Sequence, residues 1–133
     1  MPDNLDELIN LPKDLLKNGV LPFIGEKNVL GIQDMHGWTV LHWMIFCQAP
    51  AKQVSMVVNE FPDALLIVNV DLKTPLHLAC CHKDSIDTVQ VLLDACPDAL
   101  RIIDKDGRTP YQIARVKRHF NIAEFLRCYQ WLI

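Results

Sequence analysis

The chain has 133 residues, 50% of them hydrophobic and 22% charged, with a net charge of −3. That length holds one domain with a continuous core and leaves little room for a second. The acidic balance argues against general nucleic-acid binding, where basic charge would dominate a face, and no stretch approaches the ~18 consecutive apolar residues of a membrane span.

Residues 1–25 stand outside a 35-residue period that governs the rest of the chain. Within them LPKDLLKNGVLPFI (11–24) is strongly patterned. Asn10 or Leu11 leads into Pro12 at a helix start, Leu15 and Leu16 face inward, and Gly19 ends the helix. One reading is a capping unit, because the end of a stacked core would otherwise be wet. In the other, L-P-x-D-L-L followed by V-L-x-F-I resembles the opening of an F-box, the module that docks on the adaptor subunit of cullin-type ubiquitin ligases. The start MPDNLDEL is acidic, where a secretory signal would be basic and then apolar.

From residue 26 the period takes over. EKNVLGIQDMHGWTVLH (26–42), FPDALLIVNVDLKTPLHLA (61–79) and CPDALRIIDKDGRTPYQIA (96–114) superimpose at shifts of 35. A fixed period in this range is one supersecondary unit stacked on copies of itself, so a binding surface is to be sought before an active site. Each copy opens on a polar turn: Asp34, Gly37, Thr39; then Asn69, Asp71, Thr74; then Asp104, Gly107, Thr109. The Thr oxygen caps a helix, and Pro75 and Pro110 sit at its first position, where a missing N–H costs nothing. Leu41, Leu76 and Tyr111 share one position of this helix, expected between layers. A second helix follows, carrying Val54, Val57, Val58 and Phe61 or Val89, Leu92, Leu93 and Cys96 at i, i+3, i+4, i+7. Pro62 and Pro97 end it, and ALLIVN or ALRIID is expected to return in extended form.

The copies DMHGWTVLHWMI, NVDLKTPLHLAC and DKDGRTPYQIAR resemble the ankyrin repeat, whose motif reads D-x-x-G-x-T-P-L-H-x-A-A before a second, V-V-x-L-L-L helix. The resemblance covers residues 26–133. It implies an all-α solenoid of helix-turn-helix units with short β-hairpin fingers, about three units long, with no cofactor and no enzymatic activity. Its units are longer than the roughly 33 residues usual for the family. Leu72 replaces the turn Gly, so that finger either finds another turn or holds Leu in an unfavourable conformation. Val40 and Gln112 replace Pro and His in the outer copies.

The family's contact positions flank the turn Gly and end the first helix. Carried over, they are Met35, His36 and Trp38, then Val70, Asp71 and Lys73, then Lys105, Asp106 and Arg108. At the helix ends they are Phe46, Cys47, Cys81, His82, Val116 and Lys117. Trp38 and Phe46 have no evident role within the stack, and large aromatics are common interface hot spots; the alternative is that Trp38 folds down onto its own finger and Phe46 fills the wider loop of a 35-residue unit. The resemblance implies a non-enzymatic module binding a partner protein on its concave surface. The F-box-like segment implies an alternative, a substrate-recruiting adaptor of a ubiquitin ligase.

Enzymatic and metal signatures are sparse. GxxxxGK[ST], GxGxxG, GxSxG and HExxH do not occur. His77 and Cys81 at i, i+4 with His82 beside them are the best metal or thiol candidates, but His42 and His77 fill the ankyrin T-x-L-H position, which implies a ring bonded to loop backbone. Cys47, Cys80, Cys81, Cys96 and Cys128 are odd in number, form no C-x-x-C and fall mostly at small apolar helix positions. They read as reduced core thiols of a cytoplasmic or nuclear protein. Charge is unevenly placed: residues 101–133 carry three acids and seven bases, against thirteen acids and six bases before them. The last helix is expected near Asn121. Its Ile122, Phe125, Leu126, Tyr129, Trp131, Leu132 and Ile133 exceed what one face buries, as in a fragment of a longer array or a self-associating surface.

Overall fold

The computed structural model describes residues 30–82 and 85–132, with side chains in the last helix as far as Tyr129. The N-terminal region 1–25, including Pro12, Leu15, Leu16, Gly19 and the F-box-like segment 11–24, lies outside the described residues. So do the side chains of Trp131, Leu132 and Ile133.

Three successive units each carry a finger, an inner helix and an outer helix. The inner helices are α1 (Val40–Phe46), α3 (Pro75–Cys81) and α5 (Pro110–Val116). The outer helices are α2 (Ala51–Glu60), α4 (Ile86–Ala95) and α6 (Phe120–Leu132). Inner helices contact inner helices and outer contact outer, so the chain forms two parallel rows with the core between them. Leu41 and Leu76 of the inner row are fully buried, as are Val54, Val58, Leu92 and Leu93 of the outer row. Tyr111, third in the Leu41 series, is half-buried.

Local chemistry explains each helix start. Thr39, Thr74 and Thr109 are N-caps with extended backbone, each Oγ1 accepting the N–H of the third helical residue. That third residue, His42, His77 or Gln112, reaches back to the cap's own N–H and completes a capping box. Helices α1 and α5 end in the same way. Gln48 and Arg118 adopt left-handed φ of 57° and 61°. The following N–H groups, of Ala49 and His119, return to Met44 and Ala114 at 2.9 Å, the Schellman closure.

Two expectations change. The return segment is not extended throughout: Pro62–Leu66 and Pro97–Arg101 are 3₁₀ helices, and extended backbone begins only at Ile67 and Ile102. Phe61 and Cys96, pushed off helical ψ by the following proline, break the outer helix, and the proline's fixed φ then starts a new turn. Nor do the fingers form β-strands among the described residues. In each, Oδ1 of Asp34, Asn69 or Asp104 accepts the N–H groups two and four residues on, at 2.9–3.0 Å. Those donors are then lost to any strand ladder. A single backbone bond links neighbouring fingers, Val70 N–H to the His36 carbonyl at 3.0 Å and Lys105 N–H to the Asp71 carbonyl at 2.9 Å.

The turn positions are Gly37, Leu72 and Gly107, with φ of 79°, 59° and 76°. Leu72 therefore takes the second option open to it, the left-handed conformation, at a cost of about 1–2 kcal/mol. The two glycines are held for different reasons. A Cβ on Gly37 would stand 2.9 Å from Asn69 Cα and 3.0 Å from the Val70 nitrogen, whereas one on Gly107 meets nothing within 4 Å.

Urea unfolding should rank these sites. Leu76→Ala is expected to cost about 2–5 kcal/mol. Gly107→Ala should cost about 1–2 kcal/mol through φ alone, and Gly37→Ala more, because the neighbouring finger must also move. Equal costs at the two glycines would show that the first two fingers do not approach as closely as the structure has them.

Candidate partner-binding face

The fingers and the ends of the inner helices form one continuous face, and the inner-helix histidines hold it together. His42 Nδ1 accepts the Thr39 N–H at 3.1 Å and lies 2.9 Å from Thr39 Oγ1, while Nε2 donates to the Lys73 carbonyl at 3.1 Å. His77 repeats this with Thr74 and the Arg108 carbonyl at the same distances. A backbone N–H can only donate and a carbonyl only accept, so the proton must sit on Nε2 in both rings. The loop-bonded role that the ankyrin motif implied for these histidines is what the structure contains. Both ring nitrogens of His77 are thus engaged, and among the described residues no three His, Cys, Asp or Glu side chains converge as metal ligands.

Protonation would put a second N–H at Nδ1, pointing at the Thr39 N–H. Burial, the largest cause, lowers the His42 pKa from 6.5 to about 4, partly offset by the Lys73 carbonyl and the Asp34 charge. His77 is lowered in the same direction, again chiefly by burial.

The residues expected at the surface separate into two groups. Met35, His36, Phe46, Cys47, Val70, Asp71, Lys105, Asp106, Arg108, Val116 and Lys117 are exposed. Trp38, Lys73, Cys81 and His82 are half-buried. Of the two options open to Trp38 and Phe46, packing onto their own unit is the one present. Trp38 lies with ring centroids 4.6 Å from Trp43 and 5.4 Å from Phe46, and Phe46 sets its edge 4.9 Å from His82 of the next unit. Phe46 nonetheless leaves 44% of its surface open, so the cluster forms an aromatic shelf rather than a core.

Trp43 is the face residue that sequence reasoning missed. Its indole N–H donates to Asp34 Oδ2 at 2.8 Å, tying the inner helix to its finger. The available signal was its i, i+3 spacing to Phe46, which places both rings on one side of a helix. The cysteines also divide: Cys80 is buried and burial pushes its thiol pKa well up, Cys81 and Cys96 are half-buried, and Cys47 and Cys128 are exposed. The core-thiol expectation therefore fails for the last two. Cys47 caps a helix that ends at the surface, and Cys128 lies on the outward side of α6 near Glu124.

The third unit leaves open the side that in the first two units is covered by the next one: Gln112 and Arg115 are exposed where His77 and Cys80 are buried. An open depression of about 640 Å³ is lined by Gly107, Arg108, Thr109, Tyr111, Gln112, Arg115 and Val116. The Arg115 guanidinium lies 5.9 Å from the Tyr111 ring centroid. His82, between the aromatic and basic ends, has its pKa lowered, first by burial and then by the charges of Lys73, Lys117 and His119.

Paired helices stacked in two rows, with turn fingers linked edge to edge, define a helical-repeat solenoid. The family model for ankyrin repeats in three copies matches residues 58–130, more than half of the chain, and the chain belongs to that family. The finger and inner helix at 30–46 precede the matched region and repeat its geometry. A search of curated proteins finds no match. Ankyrin repeats are a protein-interaction fold.

Acid titration tests the histidine bridges. The folded pKa lies below the unfolded one for both rings, so their stability is fully present above pH 6.5 and lost as pH falls below it, for His42 down to about 4. For His42 the slope in that window is about 1.4 kcal/mol per pH unit. His77→Gln, which copies the Thr109–Gln112 cap but is too short for the Arg108 carbonyl, should cost about 1–3 kcal/mol at pH 7 and flatten this pH dependence. Urea midpoints that stay constant from pH 7 to pH 4.5 would contradict the assignment.

Proposed function

We propose that the chain is a non-enzymatic module that binds a partner protein on its concave surface, the face built by the fingers and inner-helix ends. The observation that carries this is the contrast between scaffold and surface at equivalent positions. Thr, His or Gln and the buried leucines recur, while positions 38, 73 and 108 read Trp, Lys and Arg, and positions 46, 81 and 116 read Phe, Cys and Val. The scaffold keeps its form while the surface varies, as a recognition face requires. Its fingers are preformed by Asx turns, so little ordering entropy is lost on binding. The site of action is intracellular, cytoplasmic or nuclear, which suits five unpaired cysteines.

Phe46 is the cleaner probe, because Trp38 also supports Trp43. Phe46→Ala should weaken capture of the partner by about 2 kcal/mol or more with the melting temperature little changed, whereas Trp38→Ala should lower both. Affinity capture with the full chain and with each variant checks this. Partners held equally by the wild type and by the Phe46→Ala and Arg108→Ala variants would place binding elsewhere on the molecule.

A further inference from the structure

The face is polar in the sense of a magnet. Its first unit is aromatic and uncharged at the surface: Trp38, Trp43 and Phe46 form the shelf, and the Asp34 carboxylate is taken up by two backbone N–H groups and the Trp43 indole. In the finger and inner helix of the third unit Lys105, Arg108, Arg115 and Lys117 are all exposed, against one exposed acid there, Asp106, while Glu124 lies on the outer helix. Asp104 is buried and occupied by its own finger. Among the described residues the ion pair present is Arg127–Glu124 on the outer helix α6, so none of these four cations meets a carboxylate. Two of them, Arg108 and Arg115, wall the open depression. The whole chain carries −3, so this positive end is a local feature rather than an overall excess of base.

We infer that this face takes an extended peptide of a partner protein, with one large apolar side chain on the Trp38–Trp43–Phe46 shelf and two or more carboxylates at Arg108 and Lys117 and at Arg115, which stands beside them on the uncovered side of the third unit. Packed helices lie about 8–10 Å apart, so two unit steps span about 20 Å. At ~3.3 Å per residue the anchor and the acidic residues are separated by about six positions. The apolar end sets affinity by burial, and the charged end sets orientation and rate. The inference rests on the reading of this face as the binding surface.

The test uses random 16-residue peptides displayed against the immobilised full chain, with enriched sequences remade as fluorescent peptides for polarisation measurements. Enriched peptides should carry an aromatic or large aliphatic residue about six positions from an Asp/Glu pair. Exchanging those acids for Asn or Gln in the peptide, which leaves the protein untouched, should weaken binding at least tenfold. Phe46→Ala and the paired Arg108→Glu, Arg115→Glu variant should each do the same, and raising salt from 50 to 500 mM should reproduce the acid-to-amide loss. Should the paired variant unfold, Lys105→Glu with Lys117→Glu replaces it. Enriched peptides without acids, or acidic peptides indifferent to the amide exchange, overturn the inference; if Phe46→Ala still abolishes their binding, the face remains the binding surface. Peptides indifferent to every variant sink both readings. Failure to enrich any peptide overturns the peptide inference alone, since capture of a folded partner through Phe46 decides the face separately.

Discussion

One interaction recurs and the stack depends on it: an imidazole that caps its own helix through Nδ1 and takes the next finger's carbonyl through Nε2. His42 reaches Lys73 and His77 reaches Arg108 across the same separation of 31 residues. Both rings are buried, so breaking either bond would leave a donor and a carbonyl unsatisfied in a dry interior. Gln33 Nε2 to the Val68 carbonyl and Gln48 Nε2 to the His82 carbonyl add further links between the first two units. Each contact joins neighbours only, so the stability of such an array is nearly a sum of unit and interface terms. In a chain with so few interfaces, weakening one threatens the whole.

The same bonds fix the proposed binding face. Lys73 and Arg108 supply the carbonyls that the histidines hold, while of their side chains Arg108 is exposed and Lys73 half-buried. The proposed contact positions are therefore set on backbone that the core already constrains, and side chains there can vary without disturbing the fold. Backbone strain concentrates in this neighbourhood as well: Gln48, Leu72 and Arg118 are the non-glycine residues at positive φ among those described. Each is a turn at which a finger or an inner helix reverses, closed by its own N–H donating three residues back, to the carbonyls of Ile45, Asn69 and Arg115.

The two ends of the proposed face differ in what they present. The aromatic shelf offers apolar area and the Arg108–Arg115 depression offers charge, on a scaffold that treats the two as equivalent positions one or two units apart. Trp38 and Arg108 show this most directly, being one position two units apart, whereas Arg115, exposed over Tyr111, stands where Ile45 and Cys80 are fully buried.

Much of the fold was legible in the sequence because it is written in local chemistry. The Thr caps, the prolines at the first helical position, the i, i+3, i+4, i+7 stripes and the role of His77 all depend on residues within one turn or one period of each other. Leu72 announced its own strain. Other features were decided only by tertiary structure. Whether a finger pairs as strands depends on whether its N–H groups face a neighbour or their own Asx side chain, and here the side chain captures them. Whether Trp38 is a free contact or a partly buried support depends on Trp43, a residue whose direction is set by how the inner helix seats against its finger. Cys47 and Cys128 are exposed although their residue type suits a core, because a helix end and the outward side of α6 place them there. Spacing determines which residues share a helix face; packing of one unit on the next determines which of those faces meets water.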